Sequence, residues 1–250
     1  MSGHSKWSTI KHKKAALDKK RSKSWSKLAK AITISAKMGG GNVDDNPRLR
    51  LAIEKAKADN MPKDTIEKAV LKGTGELDGE SYEEVLYEGY GAGGVAIMCL
   101  ATTDNRNRTS GEIKKIFEKA GGNLGSSNCV AFQFKQKGVI VLPADAVDEE
   151  RLMEIVLEAG AEDVSSSQTA HEVICAPESF EQVRKAIEQA GLAVQSADLA
   201  MIADNTIELD LATARKVLRL VEALEDHDDA DAVYSNADIP DEVVAELAAG

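Results

Sequence analysis

The chain has 250 residues, 43% hydrophobic but only 4% aromatic, with 31 Lys and Arg against 42 Asp and Glu for a formal net charge of −11. That length builds one large domain or two to three small ones, with cores made mainly of Ala, Val, Ile and Leu. No apolar run is long enough to span a membrane, no apolar segment follows the basic start as a secretory signal requires, and Cys99, Cys129 and Cys175 are too scattered for a disulfide framework, so the expected location is cytoplasmic.

The charge is unevenly distributed. Residues 1–37 hold ten Lys, one Arg and a single acid, Asp18; residues 1–75 sum to +11 and residues 76–250 to −22. An ordinary charge run is a solvated helix face, but the density here and the lack of acids point to a polyanionic partner, because clustered cations gain by releasing counterions from phosphates. The Lys to Arg ratio also argues against a mitochondrial transit peptide, which is usually Arg-rich. The expected nucleic-acid contacts are Lys6, Trp7, Lys11, His12, Lys13, Lys14, Lys19, Lys20, Arg21, Lys23 and Lys27. Trp7 and Trp25 lie in the same segment and could stack on bases or anchor the segment to its own domain.

Three helices are expected before residue 75. In the first, Trp25, Leu28, Ile32 and Ala36 form one apolar stripe, with Lys23, Lys27, Lys30 and Lys37 off it, and Gly39, Gly40 and Gly41 as the stop. The second opens on Asn46 as N-cap with Pro47 at its first position and buries Leu49, Ala52, Ile53 and Ala56. The third starts near Pro62 or Asp64, with Asp64 and Glu67 spaced for a capping box, and ends at Gly73. This makes residues 1–75 a basic helical domain.

Beyond Gly75 the period becomes extended. Strands are expected over 82–88 and 95–102, joined by the turn GYGAGG at 89–94, then a helix over 109–120 with a Thr109 and Glu112 capping box, then strands over 131–134 and 139–142. Residues 138–205 carry a weak internal repeat: two helices, each ending in Ala-Gly (159–160 and 190–191), alternate with short strands in the order βαββαβ, the ferredoxin-like pattern. A helix with Leu211, Ala214, Val217, Leu218, Val221 and Leu224 on one face, an acidic turn at 225–231 and a strand at 233–235 are surplus to that unit. They are expected to complete the sheet begun at residue 82. The resulting division is 76–137 plus 206–250 as one α/β domain and 138–205 as a ferredoxin-like domain inserted in it, an α+β chain overall.

Nothing in the sequence assembles a catalytic set. His4, His12, His171 and His227 are far apart and none has metal-ligand spacing, and no Gly-x-Ser-x-Gly elbow or Cys/His motif occurs. GYGAGG precedes a strand, where a dinucleotide loop would precede a helix, and GGG at 39–41 lacks the Lys of a phosphate-binding loop. No cofactor, no metal and no enzymatic activity are expected. One further segment stands out: Thr103-Asp104-Asn105-Arg106-Asn107-Arg108-Thr109 leads from a strand into a helix, and Arg, Asn and a helix N-terminus are groups that hold phosphate or read base edges. Arg106, Asn107 and Arg108 are therefore the second expected contact. The alternative is that Asn105 and Asn107 shape the turn and Arg106 pairs with a local acid such as Asp104.

The stretches GHSKWSTIKHKKAALDKKRSKSWSKLAKAITISAKMGGG, NPRLRLAIEKAKADNMPKDTIEKAV, YEGYGAGGVAIM, TDNRNRT and AGGNLG, in that order, strongly resemble the YebC family across the full chain. The resemblance implies a helical N-terminal domain followed by two α/β domains, one inserted in the other. Bacterial members are usually described as DNA-binding transcriptional regulators. Others, including a mitochondrial translational activator of a cytochrome oxidase subunit, look like ribosome-associated translation factors. Asn128-Cys129, where a small Gly-Ser-like pair is expected, and Ala237, where an aromatic is common, depart from the pattern. The expected partner is thus nucleic acid, either DNA or ribosomal RNA, with the acidic domains open to a protein partner. A protein-interaction module carrying a merely solubilising basic arm is the competing expectation.

Overall fold

The structure, a computed structural model, describes residues 21–79, 81–167 and 169–249. The described residues form two compact units: one holds 21–129 with Arg215–Val233, the other Val130–Ala214 with 234–249.

The first unit begins with three helices, α1 (Arg21–Gly39), α2 (Pro47–Ala58) and α3 (Lys63–Thr74). The α1 stripe falls where its spacing predicts: Ile32 and Ala36 are buried against Leu49, Ala52, Ile53, Ala56, Ile66 and Ala69, with Trp25 and Leu28 packed at the edge. Asn46 caps α2 by accepting the Leu49 N–H at 3.0 Å, and its amide nitrogen donates to the Ser35 and Gly40 carbonyls at 2.9 and 2.8 Å. One side chain thus starts α2 and ties it to the end of α1.

The start of α3 falls where expected, but its cap and its end differ. Pro62 is the N-cap and no side chain caps the helix, so Asp64 and Glu67 form no capping box; Asp64 lies in the first turn, where it complements the helix dipole. The stop is Gly75 at φ +80°, a left-handed position that glycine fills without steric cost. Gly73 lies inside the helix for another reason. A Cβ there would sit 2.3 Å from the Thr33 carbonyl oxygen and 2.6 Å from the Ala36 Cβ, so its bare backbone is what lets α3 lie against α1.

Strands β1 (Glu83–Tyr90) and β2 (Ala96–Thr103) pair antiparallel from Glu83 opposite Thr103 to Tyr90 opposite Ala96. The glycine-rich segment between them is a tight turn with Gly93 and Gly94 at φ 70° and 76°. Next come α4 (Arg106–Lys119) and β3 (Asn123–Leu124), which pairs with the end of β1.

The second unit runs β4 (Phe134–Pro143), α5 (Glu149–Glu158), β5 (Ala161–Ser166), β6 (Ala170–Cys175), α6 (Phe180–Gln189) and β7 (Ser196–Ala203). The sheet order is β5-β6-β4-β7 with every pair antiparallel, which is the ferredoxin-like arrangement. The two strands expected over 131–142 are one. Residues 131–133 form a short 3-10 turn and β4 passes straight through Gly138, where a side chain would strike Cys175 and Phe180 at 2.6 Å. Leu142, Leu152, Val156, Val173, Val183 and Ile187 fill the core between sheet and helices. Both helices end on left-handed glycines, Gly160 and Gly191.

The chain continues through β8 (Ile207–Glu208), α7 (Leu211–Glu225), β9 (Ala230–Ser235), β10 (Ala237–Asp238) and α8 (Asp241–Ala249). Strand β9 joins β2, giving the order β3-β1-β2-β9, so the strand expected at 233–235 does pair into the sheet begun by β1. The short parallel pair β8 and β10, and helix α8, have no counterpart in the sequence reading.

Candidate nucleic-acid interface

Of the expected contacts, Lys6, Trp7, Lys11, His12, Lys13, Lys14, Lys19 and Lys20 lie outside the described residues. Arg21 and Lys23 fall in the first turn of α1. Lys27, Arg106, Asn107 and Arg108 belong to one unit and can be placed.

The lysines of α1 reach the end of α7, the turn that follows it and the residues just before β1. Lys27 Nζ donates to the Glu225 carbonyl at 2.7 Å. Lys30 Nζ donates to Asp229 Oδ1 at 2.6 Å and to the Asp228 carbonyl at 3.3 Å, and lies 5.8 Å from the Tyr82 ring centroid. Lys37 donates to Ser81 Oγ and the Tyr82 carbonyl, each at 3.0 Å. The polar face of this helix therefore serves as a set of tethers, because each long aliphatic stem delivers an ammonium to an acceptor the helix backbone cannot reach.

The segment 103–109 is less a loop than the first turn of α4. Asn105 is the N-cap, its side-chain oxygen accepting the Arg108 N–H at 3.1 Å, while Thr103 Oγ1 accepts the Asn105 N–H at 2.9 Å. Thr109, expected as the cap, is three residues into the helix and buried. It donates to Asp229 Oδ2 at 2.7 Å and lies 2.8 Å from Thr103 Oγ1. Arg108 Nη2 donates to Asp229 Oδ2 at 2.7 Å and to Asp104 Oδ1 at 2.9 Å. Arg106 and Asn107 are exposed, and their side chains form no hydrogen bond or ion pair among the described residues.

Asp229 is the residue that sequence reasoning missed. It is 3% exposed, yet sits in the acidic turn EDHDDAD, where nothing distinguishes it from its solvated neighbours. Burial alone would raise its pKa, but hydrogen bonds from Lys30, Arg108 and Thr109 outweigh that and hold the carboxyl well below the usual range. Arg108 is pushed up in turn, first by its bond to Asp229 and then by that to Asp104. His227 orders the turn: its Nδ1 accepts the Asp229 N–H at 3.1 Å, which fixes Nε2 as the protonated nitrogen facing Glu112 Oε2 at 2.9 Å. A cavity of about 490 Å³ beside them is lined by Arg108, Glu112, Asp226, His227, Asp228 and Asp229. Four carboxylates and one arginine line it, so the cavity itself is not a phosphate site.

No group of three or more His, Cys, Asp or Glu among the described residues is arranged to hold a metal ion. No helix among them is long and apolar enough to cross a membrane. All three cysteines are free thiols; burial, with Asp231 and Glu225 nearby, pushes Cys99 up to about 12.

Comparison with known proteins places this geometry in a family. The model for the TACO1/YebC protein N-terminal domain matches residues 5–76, and that for the TACO1/YebC second and third domain matches residues 82–237. A probable transcriptional regulatory protein of Desulforapulum autotrophicum is 54% identical over 243 residues, covering 97% of this chain and 98% of the relative. Its counterpart in Geobacter sulfurreducens is 53% identical over 247 residues, covering 99% and 100%. The crystal structure of a conserved hypothetical protein from Aquifex aeolicus superposes with a TM-score of 0.83 at 48% identity, over 92% of this chain and 96% of that one.

Proposed function

This chain belongs to the TACO1/YebC family, and on that premise we propose that it is a non-enzymatic, cytoplasmic regulator of gene expression that binds nucleic acid. The basic N-terminal segment supplies most of the contacts, and Arg106, Asn107 and Arg108 supply a second. The observation that carries this reading is the division of charge, +11 over residues 1–75 against −22 over the rest. Phosphate attracts the first part and repels the second, so the molecule engages its target from one end and leaves the acidic domains to orient it or meet a protein.

The names of the relatives favour DNA and transcription. A second reading, RNA on the ribosome, is favoured by residue type: the first 37 residues hold ten Lys to one Arg, and Lys lacks the planar fork that makes bidentate contacts to guanine. Lysines give affinity with little sequence discrimination, which suits shape recognition. Crosslinking in living cells with sequencing of bound DNA and bound RNA separates the two. Promoter DNA supports the first reading and ribosomal RNA the second; neither above background overturns both in favour of a protein-interaction module.

A further inference from the structure

We infer that Asp229 is the positioning residue of this nucleic-acid interface, an inference that rests on the function proposed above. Among the described residues the expected contacts lie on two helices far apart in sequence, Arg21, Lys23 and Lys27 on α1 and Arg106, Asn107 and Arg108 at the start of α4. Asp229 joins them. Its Oδ1 takes Lys30 of α1 at 2.6 Å and its Oδ2 takes Arg108 and Thr109 of α4, each at 2.7 Å. Its own backbone is pinned as well, the N–H to His227 Nδ1 at 3.1 Å and the carbonyl by the Thr102 N–H at 2.8 Å. The carboxylate therefore cannot drift, and neither can the groups aimed at it.

A buried ion pair is a poor device for stability alone, since well-packed apolar side chains of similar volume do as well or better. What it adds is direction, because charge-assisted hydrogen bonds fix angles that apolar contacts leave free. The exposures of the two cations differ accordingly. The Lys30 side chain is 16% exposed and is absorbed in the clasp, whereas that of Arg108 is 42% exposed. Both Arg108 bonds run through Nη2, so its Nε and Nη1 N–H groups carry no bond among the described residues, and Asp104 and Asp229 fix the plane in which they lie. Arg106 and Asn107 stand exposed beside it. The result is a donor set with its plane fixed, suited to a phosphodiester backbone and tied through Asp229 to Lys30 of α1.

The opposite role is also imaginable: the acidic turn could compete with phosphate for Lys30 and Arg108. The two roles predict opposite signs. Removing an acid beside a cationic surface should, by charge alone, tighten polyanion binding; loss of a positioning residue should weaken it. Full-length protein is titrated by fluorescence anisotropy against a labelled DNA duplex and a labelled ribosomal RNA hairpin, below the melting temperature of every variant. Relative to wild type, Asp229→Asn should bind the preferred probe about tenfold more weakly at ~0.1 M salt, with a log–log salt slope shallower by about one, the signature of one lost phosphate contact. Thr109→Val removes a buried donor without changing charge and should shift affinity the same way. Glu222→Gln neutralises an exposed acid on α7 and should bind as tightly as wild type or slightly tighter. Equal or tighter binding by Asp229→Asn, or by Thr109→Val should Asp229→Asn not fold, overturns the positioning role. Failure of wild type to bind either probe instead overturns the function on which it rests.

Discussion

The indole Nε1 of Trp25 donates to the carbonyl of Asp59 at 3.0 Å, joining the first turns of α1 to the residue that closes α2. Its ring packs at the edge of the helical core. Of the two roles open to this tryptophan, stacking on a base or anchoring its own domain, the geometry assigns the second. Trp25→Phe keeps most of the apolar contact and loses the bond, so it should cost about 0.5–1.5 kcal/mol in urea unfolding and leave nucleic-acid affinity unchanged. A clear loss of affinity in folded protein would restore the stacking role.

Gly73 gives a second test of how the helical domain is assembled. Alanine there would gain about 1 kcal/mol of helix propensity, but its methyl would meet the Thr33 carbonyl and the Ala36 Cβ well inside contact distance. Overpacking of that kind costs about 1–3 kcal/mol and α1 must shift to relieve it. Gly73→Ala should therefore lower the melting temperature, whereas Gly111→Ala, at an exposed site in α4 where a Cβ meets nothing within 4 Å, should raise it slightly.

These two residues also mark what the sequence can and cannot reveal. Element type was legible wherever an apolar period or a cap recurred: the α1 stripe, the Asn46 cap with Pro47, and the βαββαβ repeat all sit where pattern puts them. Boundaries failed where two residues could play one part. Gly73 and Gly75 both look like stops, and only the approach of α1 separates them; Asn105 and Thr109 both look like caps, and only the buried Asp229 draws Thr109 inside. At Asn128, which departs from the family pattern, the backbone conformation is one that glycine also fills. Its φ is +64°, a region Asn tolerates better than other side-chain-bearing residues, and its N–H donates to the buried Glu88 carboxylate at 2.7 Å. Asp229 was illegible because its importance is set by three partners on two other segments, none within a hundred residues of it.

The two exposed arginines of α4 should separate in mutagenesis. Arg106 makes no side-chain bond among the described residues, so Arg106→Ala should change stability by less than about 0.5 kcal/mol while weakening nucleic-acid binding. Arg108→Ala removes a partner of a buried carboxylate and should cost about 1–3 kcal/mol as well as affinity. Thermal melts and anisotropy on the same samples check both. Equal stabilities would mean that Lys30 and Thr109 satisfy Asp229 alone.

Salt tests whether affinity is electrostatic at all. If the basic segment neutralises roughly six phosphates, the slope of log K against log salt should be about −4 to −5. Neutralising Lys11, Lys13, Lys14, Lys19, Lys20 and Arg21 together should flatten it. A flat response in wild type would end the counterion-release account.

Acid should act on the first unit through Asp229. Burial alone would raise this carboxyl, but the bonds from Lys30, Arg108 and Thr109 carry it below its value in the unfolded chain, about 3.9. A group lowered on folding contributes stability that is present above the unfolded pKa and is lost as pH falls through that value toward the folded one. The Asp229 contribution, read by urea unfolding, should therefore be complete at pH 7 and decline below about pH 4, where the unfolded chain takes up the proton that the folded one refuses. Burial pushes Asp231 up to about 6, a contribution of opposite sign that is lost as pH rises, so the comparison with Asp229→Asn isolates the Asp229 part. Asp229→Asn cannot take up that proton. It should be less stable than wild type at pH 7, and the difference between the two should shrink as pH falls from about 5 to 3. A difference independent of pH would mean that the carboxylate charge contributes nothing beyond the shape of its side chain, and that hydrogen bonding alone holds the Lys30 and Arg108 clasp together.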